Sequence, residues 1–363
     1  MMESKYILSF EQCGHEQLSR VGGKCASLGA MMRAKAPVPP GFAVTTETYS
    51  QMLATNSLSE CIHVWLERLN PEDVRTEARY SQIIRKLIEE TPVAPEIEDA
   101  IRAAYAGLCQ KAGTPDLPVA VRSSATAEDL PGFSFAGQQD TYLWVTGEEA
   151  VVAHVRQCWS SLYTARAISY RYDNGFAHEK VLMAVGVQKM VNAKAAGVAM
   201  TLNPINGDRS KIVIDSSWGL GETVVGGLVT PDNFMVDKVL MEIVQQKISS
   251  KHIELVADLK ERRAVEREVE AERRAQPSLT RDEVLAVARL AKNAERHYGA
   301  PQDIEWAFDA DLPEPDNVVL LQSRPETVWS QKTDAPTATY QTGVQSVLST
   351  LMMPLKKKPT SNE

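Results

Sequence analysis

Val121-Arg122-Ser123-Ser124-Ala125-Thr126-Ala127-Glu128-Asp129-Leu130-Pro131, followed by Ser134-Phe135-Ala136-Gly137-Gln138-Gln139-Asp140-Thr141, joins an apolar strand to a loop of small polar residues. Pro118-Val119-Ala120-Val121 reads as a short interior strand. Its end delivers Arg122, whose planar fork of donors matches phosphate oxygens. Gly137 lets backbone come close to a ligand, and the hydroxyls and amides around it donate without adding bulk. That combination suits the polyphosphate of a nucleotide. The same Ser-Ser-Ala-Thr-Ala-Glu-Asp run also reads as a capped helix start, with Thr126 or a serine as cap and Glu128 or Asp129 against the helix dipole. Residue types alone leave both readings open.

A single core stops growing near roughly 250 to 300 residues, so 363 residues imply two or more subdomains. Hydrophobic content of 44% and charged content of 24% are those of a soluble globular chain, and a net charge of -8 argues against broad nucleic-acid binding. An anionic ligand must therefore meet local positive charge. Cys13, Cys25, Cys61, Cys109 and Cys158 are scattered without C-x-x-C spacing, which supports neither a disulfide framework nor a zinc site and fits a reducing cytoplasm. The amino terminus lacks the order of a signal peptide. No uncharged apolar run approaches the roughly 20 residues that span a bilayer, so no membrane insertion is expected.

Along the chain, Val21-Gly22-Gly23-Lys24 leads into the apolar helix Cys25 to Met32, where orphan backbone donors and a lysine attract anions. A lone Gly-Gly-Lys is also a plain turn. Val38 to Thr46 reads as a turn into a strand, with Thr45 or Thr46 capping the next helix, and helices dominate to about residue 112. Glu148 to Tyr172 reads as one long helix, and Val181 to Met190 as a strand. In that strand Gln188 and Lys189 fit either an edge position or a hinge facing an adenine. Gly197 to Thr201 and Ile212 to Asp215 read as strands, and a second glycine-rich loop, Ser216 to Gly227, carries Glu222. That acid suits a first helical turn or a place facing metal-bound phosphate. Strand character returns at Val229 to Val239, and the charged run Lys260 to Arg274 reads as a solvated helix. Thr280-Arg281-Asp282-Glu283 is a capping box for a helix ending near Tyr298-Gly299.

Asp303-Ile304-Glu305-Trp306-Ala307 alternates, which places Asp303 and Glu305 on one face, and Gln322 and Arg324 share a face in Val318 to Pro325. A hairpin of the two would converge two acids, an amide and a guanidinium. Such a patch suits Mg²⁺, a hard cation that keeps phosphate oxygens in its shell. A cross-strand Glu305–Arg324 salt bridge is the alternative.

Together, Gly22-Gly23-Lys24, the Val121 to Asp129 run with Phe135-Ala136-Gly137-Gln138-Gln139, Gly219-Leu220-Gly221-Glu222, Asp303 to Trp306 and Gln322 to Thr327 closely resemble a known domain. It is the amino-terminal ATP-grasp domain of the phosphoenolpyruvate synthase, pyruvate phosphate dikinase and rifampicin phosphotransferase family, over residues 5 to about 330. The resemblance implies an α+β, ATP-grasp-like fold of two subdomains, 1–195 and 196–330, with the nucleotide between them. It implies ATP and Mg²⁺ or Mn²⁺ as cofactors, with cleavage to AMP and passage of the β-phosphoryl to a histidine. Carried over by position, Lys24, Arg122 and Arg324 act on the phosphates as catalytic residues, and Gly137 and Thr141 supply the loop that closes over them. Gln188 lies near the adenine, Glu222 lies in an active-site loop, and Glu305 and Gln322 are the metal ligands with Asp303 beside them. Gly132-Phe133 stands where relatives carry an Asp-Ala pair, a departure that bears on loop closure.

The family's phosphorylated histidine lies in a Gly-Gly-x-Thr-Cys-His type motif, which none of His15, His63, His154, His178, His252 and His297 occupies. Residues 331–363 read as a disordered or partner-docking tail. The expectation is half of an enzyme, acting in a hetro-oligomer with a histidine-bearing phosphotransferase subunit. A free-standing chain of this kind is similar to the ATP-binding subunit of phenylphosphate synthase, whose acceptor is phenol. A related split dikinase using pyruvate or an antibiotic, and a non-catalytic nucleotide-sensing module, are the alternatives.

Overall fold

In the computed structural model, which describes residues 5–69, 74–126, 140–258, 261 and 263–329, the chain alternates apolar strands with amphipathic helices. The first part runs β1 Ile7–Ser9, α1 Leu18–Arg33, β2 Gly41–Val44, α2 Thr46–Ala54, α3 Leu58–Glu67, α4 Val74–Glu90, α5 Pro95–Ala112, β3 Val119–Ala125, β4 Thr141–Val145, α6 Glu148–Ser160, α7 Ala165–Asp173 and β5 Met183–Lys189. Its strands pair antiparallel in the order β1-β2-β5-β3-β4. Ile97, Ile101 and Tyr105 of α5 and Val155 and Trp159 of α6 pack on Val121, Val185 and Val187 of this sheet. Burial of such side chains, worth about 1.5 to 3 kcal/mol each, is what holds helices to strands.

The second part runs β6 Ala193–Met200, β7 Lys211–Trp218, α8 Glu222–Val225, β8 Asp232–Asp237, β9 Glu242–Lys247, β10 Ile253–Asp258, β11 Arg263–Glu268, α9 Ala271–Arg274, α10 Arg281–Tyr298, β12 Gln302–Asp309 and β13 Val318–Pro325. Here the antiparallel order is β13-β12-β6-β7-β8-β9, with β10 and β11 as a separate hairpin. Val284, Val287, Ala288, Ala291 and Ala294 recur at helical spacing along α10 and bury against Ile214, Phe234, Trp306 and Leu320. The expected capping box is present, with Thr280 Oγ1 accepting from the Glu283 amide at 3.3 Å, and Gly299 ends the helix at φ 67°. The two sheets belong to one unit that extends through Thr327. Among the described residues no helix is long and apolar enough to cross a membrane.

Four local expectations are corrected. The long helix over 148–172 is broken: Thr164 takes ψ 147° and its hydroxyl caps α7 at the Ala167 amide, which turns Leu162 and Tyr163 into the core. The described part of the charged run is no solvated helix. It forms β11, paired with β10 from Ile253↔Glu268 to Asp258↔Arg263, and then α9. Tertiary pairing overrides its helical charge spacing, because the Glu254 carboxylate, 3% exposed, draws in Arg267 and Arg273. β5 lies between β2 and β3 rather than at an edge, so edge placement does not explain Gln188. Finally, β3 continues through Ser123, Ser124 and Ala125, which rules out a helix start capped by either serine. Gly137, the other loop residues 127–139 and the tail 331–363 lie outside the described residues.

Candidate active site

A kink in α1 makes the first contribution. Gly22 sits at φ 70°, and a Cβ there would lie 2.0 Å from the Ser124 carbonyl oxygen, so the glycine lets α1 rest directly on β3. Ser124 fastens the junction, donating to the Val21 carbonyl at 2.8 Å and accepting from the Cys25 amide at 3.1 Å. Ser123 and Ser124 are fully buried, and the Ser124 hydroxyl is a pin within the fold and not a phosphate donor. Their packing presents Lys24, whose Nζ donates to the Ser123 carbonyl at 3.0 Å.

Lys24 lines a cleft of about 810 Å³ between the two sheets. Arg122 of β3, Thr141 of β4, Gln188 of β5, Glu222 of α8, Glu305 of β12 and Gln322 and Arg324 of β13 line the same cleft. Eight of the nine residues expected from the sequence are therefore brought together, and the ninth, Gly137, is not described. Strand period places them: β12 and β13 do form the expected hairpin, pairing Asp303 with Arg324 and Glu305 with Gln322. The expected alternative of a Glu305–Arg324 bridge is not what forms. Arg324 Nε lies 3.7 Å from Asp303 Oδ2, while Glu305 turns to Arg122.

Arg122 ties the two sheets together. Its Nη1 donates to the Leu321 carbonyl at 2.9 Å, and its Nη2 to Glu305 Oε2 at 2.7 Å and Gln322 Oε1 at 3.2 Å. The short charge-assisted contact is the strongest of the three. Gln188 is buried, with its Nε2 donating to the Pro39 carbonyl at 3.3 Å. The sequence reading missed the apolar wall formed by Leu143, Met190, Val191, Val198 and Met200, and it missed Asp215, which accepts from Asn233 Nδ2 at 2.7 Å. Such residues carry no signal beyond ordinary strand alternation.

Two carboxyls in the cleft are shifted. Burial pushes Asp303 up to about 6, against the opposing pull of Arg324, and among the described residues Asp303 Oδ1 has no hydrogen-bond partner. Glu222 is open to the cleft's solvent but crowded by protein atoms, and this desolvation raises its pKa despite Arg122. The raised Asp303 contributes stability that is present below its unfolded pKa and lost as pH rises through about 6. Thermal melts of Asp303→Asn against the parent should therefore shift in the variant's favour between about pH 4 and 6 and level off above that window.

The residues also fit a divalent cation. Glu305 Oε2 and Gln322 Oε1 converge on one positive atom, Arg122 Nη2, and both are hard oxygen donors of the kind Mg²⁺ and Mn²⁺ take. Among the described residues no group of three or more His, Cys, Asp or Glu side chains is placed to hold a metal. Two protein oxygens with phosphate and water completing the shell is the usual arrangement for Mg²⁺ beside a nucleotide.

Cations, hard oxygens and apolar side chains lining one cleft suit a phosphorylated ligand with a flat apolar part. Residues 18–343 match the family model for the pyruvate phosphate dikinase AMP/ATP-binding domain, and the chain belongs to that family. It is 46% identical over 349 residues to a probable phosphoenolpyruvate synthase of Staphylothermus marinus, covering 90% of this chain and 42% of that protein. A phosphoenolpyruvate synthase of Aeropyrum pernix is 44% identical over 355 residues, covering 91% and 43%. The chain thus spans less than half the length of these relatives. A solved D-alanyl-alanine synthetase A from Vibrio cholerae aligns at a TM-score of 0.25 and 12% identity over 68% of this chain and 54% of that one, too slight a likeness to bear on the fold.

Proposed function

We propose that the cleft binds MgATP in an ATP-grasp manner and cleaves it to AMP and phosphate, passing the β-phosphoryl to a histidine on a partner subunit. The observation that carries this reading is the convergence of Lys24, Arg122, Glu222, Glu305, Gln322 and Arg324 on one cleft from five secondary-structure elements and both sheets. Lys24, Arg122 and Arg324 hold the phosphates and neutralise charge that develops as the phosphoryl moves. Glu305 and Gln322 hold Mg²⁺, which when bound offsets charge on the same phosphates. The apolar wall takes the adenine beside Gln188, and Thr141, the first residue of β4 and the partner of Arg122 in the sheet, lines the same cleft. None of the six histidines in this sequence lies in a phosphohistidine-type motif. The acceptor is therefore assigned, as part of this proposal, to a histidine-bearing partner in a hetero-oligomer.

The partner then phosphorylates phenol, the acceptor carried by the resemblance to phenylphosphate synthase. Pyruvate is the second reading, favoured by the names of the relatives at 46% and 44% identity. The test combines the chain, MgATP and a purified histidine-bearing subunit with phenol or with pyruvate. AMP formed in step with phenylphosphate supports the first acceptor, and phosphoenolpyruvate moves the assignment to the second. Absence of AMP with both would remove the ATP-cleaving reading.

A further inference from the structure

Among the described residues none of the β10–β11 hairpin lines the cleft, yet the hairpin touches two elements that carry lining residues, the loop before Glu222 and β4. On one side, Leu255 of β10 makes a parallel bridge with Gly219, and its carbonyl accepts from the Leu220 amide at 2.8 Å. Gly219 permits this approach: it sits at φ 73°, and a Cβ there would lie 2.3 Å from the Leu255 oxygen. Glu222 follows three residues later at the start of α8. On the other side, β11 packs against β4, whose first residue is Thr141.

The hairpin is itself held by a closed ring of contacts. Glu254, next to Leu255, is buried, and its Oε1 accepts from Arg267 Nη2 at 3.1 Å across the hairpin. Its Oε2 lies 3.5 Å from Arg273 Nη2 of α9. The Arg273 guanidinium in turn lies 4.5 Å over the Trp218 ring, and Trp218 Nε1 donates to the Arg273 carbonyl at 3.3 Å. Trp218 immediately precedes Gly219, so the ring returns to the loop from which it started. A buried carboxylate shared by two guanidiniums is costly to desolvate and poor as a simple stabiliser, whereas it fixes geometry well.

We propose that this hairpin is a brace and that Glu254 is a positioning residue, which through Arg273, Trp218 and the Leu255 bridge sets the place of Glu222 against the nucleotide. The proposal rests on the reading of Glu222 as a group facing the bound nucleotide. Outer contacts of this sort typically change affinity by about 10-fold or more when removed.

The test is a double-mutant cycle read by calorimetric MgATP affinity on the full chain, with Glu254→Gln, Glu222→Ala and both together. Glu254→Gln is expected to weaken binding about 10-fold, and to cause no further loss once Glu222 is gone. Equal losses in both backgrounds, or no loss from Glu254→Gln, would overturn the brace and leave the role of Glu222 standing. Parent-like affinity in Glu222→Ala would remove both the reading of Glu222 and the proposal built on it. Should Glu254→Gln fail to fold, Arg273→Gln keeps the Arg267–Glu254 pair and is expected to show the same dependence on Glu222. Additive losses with that variant would equally overturn the brace.

Discussion

Replacing Arg122 with alanine is expected to move two affinities in opposite directions. Arg122 Nη2 sits on Glu305 Oε2 and Gln322 Oε1, the two oxygens assigned to the metal. A bare cation must displace a guanidinium held by a 2.7 Å ion pair, and the like charges repel. MgATP meets no such barrier, because the guanidinium released from Glu305 has phosphate oxygens to turn to. Arg122→Ala should therefore raise the affinity of the nucleotide-free chain for Mn²⁺ several-fold, as titrated by electron paramagnetic resonance. The same substitution should weaken MgATP binding by roughly 100-fold, the scale of a lost charge-assisted contact of about 2 to 3 kcal/mol. A Mn²⁺ affinity that falls together with that for MgATP would show that Arg122 does not share its oxygens with the metal.

The second large effect concerns Glu305. Glu305→Gln keeps the size and one oxygen of the side chain but removes the charge that pairs with Arg122 and, in the proposed complex, with Mg²⁺. Phosphoryl transfer depends on charge neutralisation at positions fixed in advance, so the rate of transfer is expected to fall by roughly 10³. Metal-free ATP binding should change little, since no phosphate contact is assigned to Glu305. Rapid-quench measurement of AMP formation at saturating MgATP checks the rate, and a loss confined to nucleotide affinity would contradict the assignment. A smaller, structural effect is expected at Gly219→Ala. There the clash with Leu255 and the positive φ should cost about 2 kcal/mol in thermal or denaturant unfolding.

Much of the cleft was legible because its chemistry rides on strand period. Asp303, Glu305, Gln322 and Arg324 alternate with apolar neighbours, so the hairpin and its shared face follow from pleating alone. Lys24 and Arg122 were marked by the glycines and small residues beside them. Ser124 misled, since a small hydroxyl that fastens α1 to β3 looks the same in sequence as one that awaits phosphate. Strand β11, within the charged run Lys260 to Arg274, was illegible for another reason. Its charge spacing favours a helix, and what decides the outcome is pairing with β10, whose buried Glu254 and bridge to Gly219 lie outside the run. The break at Thr164 likewise depends on the core that receives Leu162 and Tyr163.

The central proposal is that this cleft delivers the β-phosphoryl of ATP to a histidine borne by a partner subunit. Incubating the chain with Mg²⁺, the histidine-bearing subunit and ATP labelled in either the β or the γ phosphate tests it most directly. The account predicts acid-labile β label on the partner histidine with the γ label released as phosphate. Retention of γ label on that histidine would contradict it.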